Sequence, residues 1–311
     1  MRMHRFRELH EYSEQILDFD SGFVRFSNEP VDASLLRIEL GRAVVLRGEG
    51  DFPHYASQAT FPSRALIFPV GPCGEVIWHG ERANEKRTVY SYAPGDEHVG
   101  SMRGHLSWAA ILCDPEVLDR HTRALGYDPE RASAGSVLTL EPDVKERLRT
   151  AVRRVVGIAA HGPRPFASEP VRIAVEEDLL SAVVHVLQPA CKRRSAAALS
   201  HERVVRRCFE LLESRPRDAV YLSELCEAAG VSERTLRNAF QDFFGLSPIR
   251  YLHLRRMELA RREIHDADPA CARVTDIAQR FGFTNLGRFA CEFRQLYGTS
   301  PSQMLRDARR G

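Results

Sequence analysis

The last third of this sequence contains an internal repeat, and the repeat restricts the fold more than any other feature. Residues 222–248 and 274–301 match in the order of their residue types. Each copy opens on an apolar residue, a hydroxyl residue and an acid, and then reaches a glycine, Gly230 or Gly282. Both copies end in the pattern Gly-x-Ser-Pro. This repetition predicts one local structure that is built twice.

Apolar residues in the second part of each copy recur with helical spacing. They lie at i, i+4 and i+7, which places them on one face of a helix. A glycine before such a helix can adopt the left-handed conformation that a sharp turn between two helices needs. Each copy is therefore predicted to form a helix-turn-helix unit. The two apolar faces comprise Leu236, Phe240 and Phe243 in the first copy and Phe289, Phe293 and Leu296 in the second.

Capping signals predict where the helices of the repeat begin. The hydroxyl residues Ser223 and Thr275 are predicted to cap the first helix of each unit. The serine–proline pairs predict further helices beginning at Pro248 and Pro301. Residues 248–264 then read as one helix of about 17 residues, ~25 Å long at 1.5 Å per residue. Such a helix could hold the two units about one DNA turn apart, ~34 Å, so that both enter successive major grooves.

Residues 201–311 resemble the DNA-binding domain of the AraC/XylS family of bacterial transcription regulators. The resemblance implies a sequence-specific regulator whose partners are double-stranded promoter DNA and, for an activator, RNA polymerase. The five residues from Leu286 to Ala290 are similar to a subgroup that includes regulators of ethanolamine operons. The residues that carry the family resemblance are Gly230 to Leu236 in the first unit and Ile277-Ala278, Gly282-Phe283, Phe289 to Phe293 and Gly298 to Pro301 in the second.

Helix-turn-helix proteins read bases with the exposed N-terminal face of the second helix. Arginine can bind guanine through two bonds, asparagine can pair similarly with adenine, and glutamate can accept from cytosine. Base contacts are therefore predicted from Ser232, Glu233, Arg234, Arg237 and Asn238 in the first unit and from Thr284, Asn285, Leu286 and Arg288 in the second. Close backbone approach is predicted at Gly287, and phosphate contacts at Thr235 and Gln241.

An exposed arginine on an isolated helix is more often solvated or paired with a nearby acid than bound to a ligand. The duplicated unit reverses that expectation for Arg234, Arg237 and Arg288. The phenylalanines of the apolar faces are predicted to be core residues, because stacking proteins usually present their aromatic rings from a sheet.

Residues 1–188 are predicted to form a separate domain, which makes the whole chain α+β. Apolar runs punctuated by glycine and proline predict strands over about the first 110 residues. Residues 189–200 are predicted as a linker, and residues 201–311 as the C-terminal domain. The family resemblance implies a cupin-like β-barrel or sandwich that senses a small effector or mediates dimerisation. The predicted helices of the first domain are 114–125, 141–160 and 168–187.

Two alternatives stay open for the first domain. It could serve only protein–protein contact in an effector-free regulator, in which case side chains would fill it. It could also be a metal-dependent cupin-type enzyme, which needs closely spaced histidines and a carboxylate. The sequence predicts no metal site and identifies no cofactor, because His54, His79, His98 and His105 are scattered without an H-x-H pair. Four aromatic residues could line a pocket but are more typical of a core: Trp78, Tyr90, Tyr92 and Trp108.

The chain has 311 residues, and its composition predicts a cytoplasmic protein that does not bind a membrane. The seven cysteines include no C-x-x-C pair, so neither a disulfide framework nor a zinc site is indicated. No apolar run reaches the ~18 residues of a membrane span. The net charge of +2 hides an asymmetry: residues 201–311 carry 19 arginines, no lysine and 15 acids, whereas residues 1–200 carry a charge of −2. Arginine suits bidentate contact with guanine and phosphate better than lysine does.

Overall fold

The computed structural model describes residues 2–9, 11–12, 21–129, 136–162, 164–188, 196–215 and 220–307. The chain divides into two compact units. The N-terminal unit comprises residues 1–23, 30–52 and 57–195, and the C-terminal unit comprises residues 24–29, 53–56 and 196–311. In these ranges no helix combines the length and the hydropathy that crossing a membrane requires. Residues 189–195 of the predicted linker lie outside the described residues, and a helix has begun by Ala196.

The N-terminal unit is built on an antiparallel sheet, as predicted. The strand order is β1-β3-β4-β8-β5-β7-β9, with β2 on β4 and β6 on β5. The outermost strands β1 and β9 do not pair in the described part of the chain, so the sheet is open and not closed into a barrel. The strands are β1 Arg2–Phe6, β2 Ser21–Arg25, β3 Asp32–Glu39, β4 Ala43–Thr60, β5 Arg64–Trp78, β6 Glu81–Arg82, β7 Thr88–Tyr92, β8 Glu97–Cys113 and β9 Ser136–Thr139.

Three strands are longer than the sequence pattern predicts. Strands β4, β5 and β8 have 18, 15 and 17 residues and run through glycines that suggested breaks between strands. Two of these glycines mark close packing. A Cβ atom at Gly48 would lie 2.1 Å from Trp108 Nε1, and one at Gly100 would lie 2.4 Å from Trp78 Cδ1. The β5–β8 pairing shifts register between Pro69 and Glu75, so an irregularity is absorbed without ending the strand.

Helices cover one face of this sheet. Asp114 caps the first helix, as predicted, and accepts a hydrogen bond from the backbone nitrogen of Glu116 at 2.8 Å. Buried sheet residues such as Leu66 share one apolar cluster with Leu148 and Leu179 of the helices. The helices are α1 Pro115–Ala124, α2 Pro142–Ala160, α3 Arg164–Ala167 and α4 Glu169–Leu187.

The four aromatic residues singled out in the sequence are buried, each at most 5% exposed. The rings of Trp78 and Tyr90 lie 4.7 Å apart, edge to face. Trp108 Nε1 donates a hydrogen bond of 2.9 Å to the hydroxyl of Tyr12. These side chains pack against one another and against the N-terminal segment, which is the core role the sequence favoured.

Lys145 in α2 is a fully buried lysine. Its Nζ donates to the carbonyl oxygens of Glu85 and Thr88, both at 2.8 Å. Burial, and secondarily Arg149, lowers the pKa of Lys145 to about 7. The pKa of a lysine in an unfolded chain is about 10.4. Between these two values the unfolded chain binds a proton that the folded chain has lost, so the free energy of unfolding rises with pH.

Replacing Lys145 with methionine is expected to remove this contribution. The wild-type value minus the variant value of the unfolding free energy should rise between pH 7 and 9, by up to about 1.4 kcal/mol per pH unit. Both tryptophans, Trp78 and Trp108, lie in the N-terminal unit, so urea unfolding followed by tryptophan fluorescence reports on this unit. The exposed Lys86, replaced in the same way, is the matched control for loss of a surface lysine and should cost little stability. A K145M difference that is equal at pH 7 and pH 9 contradicts the expectation.

The C-terminal unit confirms the predicted repeat. Helices α6–α7 and α9–α10 form two helix-turn-helix units, and the glycines at their turns, Gly230 and Gly282, have φ of 66° and 78°. The connecting helix α8 has 19 residues, slightly more than predicted, and is ~28 Å long. The helices are α5 Ala196–Ser214, α6 Leu222–Ala229, α7 Glu233–Phe244, α8 Pro248–Asp266, α9 Val274–Arg280, α10 Leu286–Tyr297 and α11 Pro301–Asp307.

The first helix of each unit begins before its predicted cap. Helix α6 follows Tyr221, whose backbone nitrogen donates to the Glu224 carboxylate at 2.8 Å. Helix α9 follows Arg273. Ser223 and Thr275 therefore lie inside the first turn, and the prediction that they cap these helices is wrong. In α6 the Glu224 carboxylate makes a capping hydrogen bond, whereas the sequence predicted that the Ser223 hydroxyl would cap the helix.

Candidate nucleic-acid interface

Helix α7 presents its first turns to solvent. Ser232 caps it, with the backbone nitrogen of Thr235 donating to Ser232 Oγ at 3.3 Å. The opposite face carries Leu236 and Phe240, both fully buried, and this fixes which side of the helix is exposed. Thr235 is half-buried, whereas the other predicted contact residues of this unit are exposed: Ser232, Glu233, Arg234, Arg237, Asn238 and Gln241.

Helix α10 repeats this arrangement. Asn285 caps it and accepts a hydrogen bond of 2.9 Å from the backbone nitrogen of Arg288. Phe289 and Phe293 are buried on the inner face, as predicted. Leu286 is half-buried and packs against the apolar cluster of the C-terminal unit. The remaining predicted contacts are exposed: Thr284, Asn285, Gly287 and Arg288.

Two arginines on these surfaces each pair with a glutamate one helical turn away. Arg237 uses a terminal nitrogen, Nη2, which lies 2.5 Å from Glu233 Oε1. Arg288 instead uses Nε, which lies 2.8 Å from Glu292 Oε1. Both glutamates therefore bond predicted contact residues: Glu233 is itself a predicted contact, whereas the sequence did not predict Glu292.

Glu292 is held from a second side. Its other carboxylate oxygen, Oε2, lies 2.7 Å from Nε2 of His253 on α8. The His253 ring packs edge-on against Phe283 at 5.7 Å. Partial burial raises the pKa of Glu292, but the hydrogen bonds from Arg288 and His253 outweigh it, and the pKa lies below its usual value. The i, i+4 spacing of Arg288 and Glu292 could have revealed their pair, whereas nothing local in the sequence points to His253.

In the N-terminal unit, two of the scattered histidines are joined by a tyrosine. The hydroxyl of Tyr92 lies 3.0 Å from His79 Nε2 and 2.8 Å from His98 Nδ1. His98 Nε2 is in turn 3.1 Å from Ser57 Oγ. Burial, and secondarily His79, lowers the pKa of His98 to about 3, so this ring is neutral at physiological pH. Within the described residues, no three His, Cys, Asp or Glu side chains gather as a metal site.

Comparison with known proteins matches residues 225–307 to a family model described as a helix-turn-helix domain. The chain is 36% identical to a probable thc operon regulatory protein of Rhodococcus erythropolis, over 46% of this chain and 42% of that protein. It is 34% identical to a XylDLEGF operon transcriptional activator of Pseudomonas putida, over 36% of this chain and 33% of that protein. It is also 32% identical to the solved structure of a probable AraC family transcriptional regulator from Rhodopseudomonas palustris, over 34% of this chain and 96% of that one, with a TM-score of 0.31.

The repeated turns and the two solvent-facing helix starts define a double helix-turn-helix module. Residues 225–307 belong to the AraC/XylS family of these domains. The chain spans less than half the length of either curated relative named above, and both matches cover a minority of this chain.

Proposed function

We propose that this protein is a cytoplasmic transcription regulator that binds promoter DNA in a sequence-specific manner through the starts of α7 and α10, the two reading helices. The observation that carries the proposal is the duplicated surface: Ser232 and Asn285 cap two helices whose first turns expose guanidinium and amide groups. Such groups recognise base edges in the major groove. The length of α8, ~28 Å, suits helices that enter successive grooves ~34 Å apart.

The N-terminal unit is proposed to sense a small effector or to mediate dimerisation, with domain boundaries at 1–188, 189–200 and 201–311. RNA polymerase is a proposed partner, and the name of the Pseudomonas putida relative, an operon transcriptional activator, supports it. Both relatives are named as operon regulators, which supports the proposal that this protein is not an enzyme. Membership of residues 286–290 in the ethanolamine-operon subgroup stays a prediction.

Selection of duplexes from a randomised library by the full-length chain tests the proposed function. The expected product is an enriched site with two preferred segments, about 10 base pairs apart from centre to centre. A library that returns no enriched sequence contradicts sequence-specific binding.

Arg237→Ala and Arg288→Ala are each expected to weaken binding to the enriched duplex by about 1–3 kcal/mol, because each removes a two-pronged donor for guanine. A mobility-shift titration on the enriched duplex and on a scrambled duplex measures the effect. Arg206→Ala removes an exposed arginine outside the reading helices and should leave both affinities unchanged. An equal loss on the two duplexes reassigns the arginine to phosphate contact, and no loss on either removes it from the interface.

A further inference from the structure

The two reading helices hold their arginines in different ways. The bond between Arg237 and Glu233 occupies a terminal nitrogen of the guanidinium group, and both side chains are largely exposed, at 60% and 53%. The bond between Arg288 and Glu292 occupies Nε, while the Glu292 side chain is only 23% exposed. The Arg288 pair therefore leaves both terminal nitrogens without a bond to Glu292, whereas the Arg237 pair uses one of them.

A guanidinium group can bind guanine end-on, with one N–H from each terminal nitrogen on O6 and N7. Because Glu292 engages Nε, this end-on fork of Arg288 stays available while the pair is intact. The bond of Arg237 to Glu233 instead uses Nη2, which is one of the two nitrogens of that fork and which carries a second N–H. The geometry therefore distinguishes an arginine whose glutamate engages only Nε from one whose glutamate engages a terminal nitrogen.

Support for Arg288 comes from outside its own helix. An acid four residues after its basic partner is the less favourable order in an isolated helix. Here His253 on α8 holds the second carboxylate oxygen of Glu292, and both of these side chains are about four-fifths buried, at 22% and 23% exposure. Charge-assisted bonds in such a site are stronger and more directional than those between exposed side chains. The carboxylate is thus fixed to the connecting helix before DNA arrives.

Resting on the proposed function, we propose that Glu292 and His253 are positioning residues that hold Arg288 for end-on recognition of one guanine in the second segment of the DNA site. Holding the guanidinium in advance reduces the side-chain entropy that binding must remove. Loss of either support then lowers the preference for that guanine and leaves the preferences at the other positions intact.

Library selection with variants of the full-length chain tests this inference. Wild type is expected to select a guanine at one position of the second segment, and Arg288→Ala should identify that position by losing the preference. Glu292→Ala should lower the same preference about 10-fold, the range of one good arginine–guanine contact. Glu210→Ala is the matched control, since Glu210 pairs with Nε of Arg206 at i, i+4 on α5, and should change no preference.

Variants of His253 provide a second test, which leaves the Glu292 carboxylate in place. His253→Leu abolishes the hydrogen bond to Glu292 and should lower the guanine preference, whereas His253→Gln keeps a donor at a similar reach and should retain most of it. Comparison of the two His253 variants tests the positioning role even if Glu292→Ala lowers the melting temperature. A merely repulsive role of Glu292 towards phosphates predicts a different result: Glu292→Ala would then raise affinity for every duplex equally, with unchanged preferences.

Failure of the proposed function and failure of the positioning role give different results. If wild type enriches no sequence, the proposed function is wrong. If Arg288→Ala loses the guanine while both Glu292→Ala and His253→Leu keep it, the regulator stands and the positioning role is overturned.

Discussion

Replacing Glu258 with alanine is expected to lower the free energy of unfolding of the C-terminal unit by about 3–5 kcal/mol. Glu258 lies on α8 with its side chain 9% exposed, and it accepts hydrogen bonds from Arg261 at 2.8 Å and from the Tyr297 hydroxyl at 3.1 Å. Burial raises the pKa of Glu258, but Arg261 and Arg262 lower it by more, so the carboxylate is ionised. Alanine would leave the buried Arg261 guanidinium without this counter-charge, which is the costly way to break a buried pair.

Hydrogen–deuterium exchange of peptides from α8 and α10 measures this loss locally. Exchange in both helices should accelerate together, because Tyr297 ends α10 and is tied to α8 through Glu258. Glu263→Ala, which removes a surface partner of Arg280, should cost less than about 1 kcal/mol.

The double replacement Glu258→Met with Arg261→Met removes both buried charges and should recover most of the lost stability. If Glu258→Ala costs no more than Glu263→Ala, the buried pair does not stabilise the unit. If the double variant is no more stable than Glu258→Ala, the cost arises from lost packing and not from an uncompensated charge.

The repeat could be predicted because its signals are local. A helical period places Phe240 or Phe293 on an inner face whatever lies opposite, and a glycine followed by a polar cap marks a turn within a few residues. The exposed starts of both reading helices follow from the same local pattern. Leu286 shows the limit of such local patterns. Packing against residues distant in sequence decides whether an aliphatic side chain at a helix start faces outward.

The features that could not be predicted depend on contacts between distant segments. Gly48 suggests a break between strands until the Trp108 ring is seen to lie against it. His79 and His98 look unrelated until Tyr92 joins them. Glu292 and His253 are 39 positions apart, and only the crossing of α8 and α10 brings them into one network. Sequence therefore predicted which groups are exposed at the starts of these helices, but not the contact between Glu292 and His253.

Phe293→Ala is expected to destabilise the C-terminal unit by about 3–5 kcal/mol, the usual cost of removing a buried phenyl ring. Phe293 is 0% exposed, and its ring lies 5.6 Å from Phe289 and 4.7 Å from Tyr297. All three residues belong to α10, and the same cluster includes Leu254 and Met257 of α8. A cavity at this point loosens the reading helix from the connecting helix, so binding to the enriched duplex should fall with stability.

Two readouts on the full-length chain separate this effect from general damage. Thermal unfolding followed by helical circular dichroism should show an earlier transition, and tryptophan fluorescence, since both tryptophans lie in the N-terminal unit, measures whether that unit is also affected. Phe293→Leu keeps part of the apolar volume and should fall between wild type and alanine. Cys291→Ala alters an exposed position on the same helix and should be nearly neutral. An alanine variant at position 293 that unfolds at the wild-type temperature would mean that the two aromatic neighbours of Phe293 do not depend on it for packing.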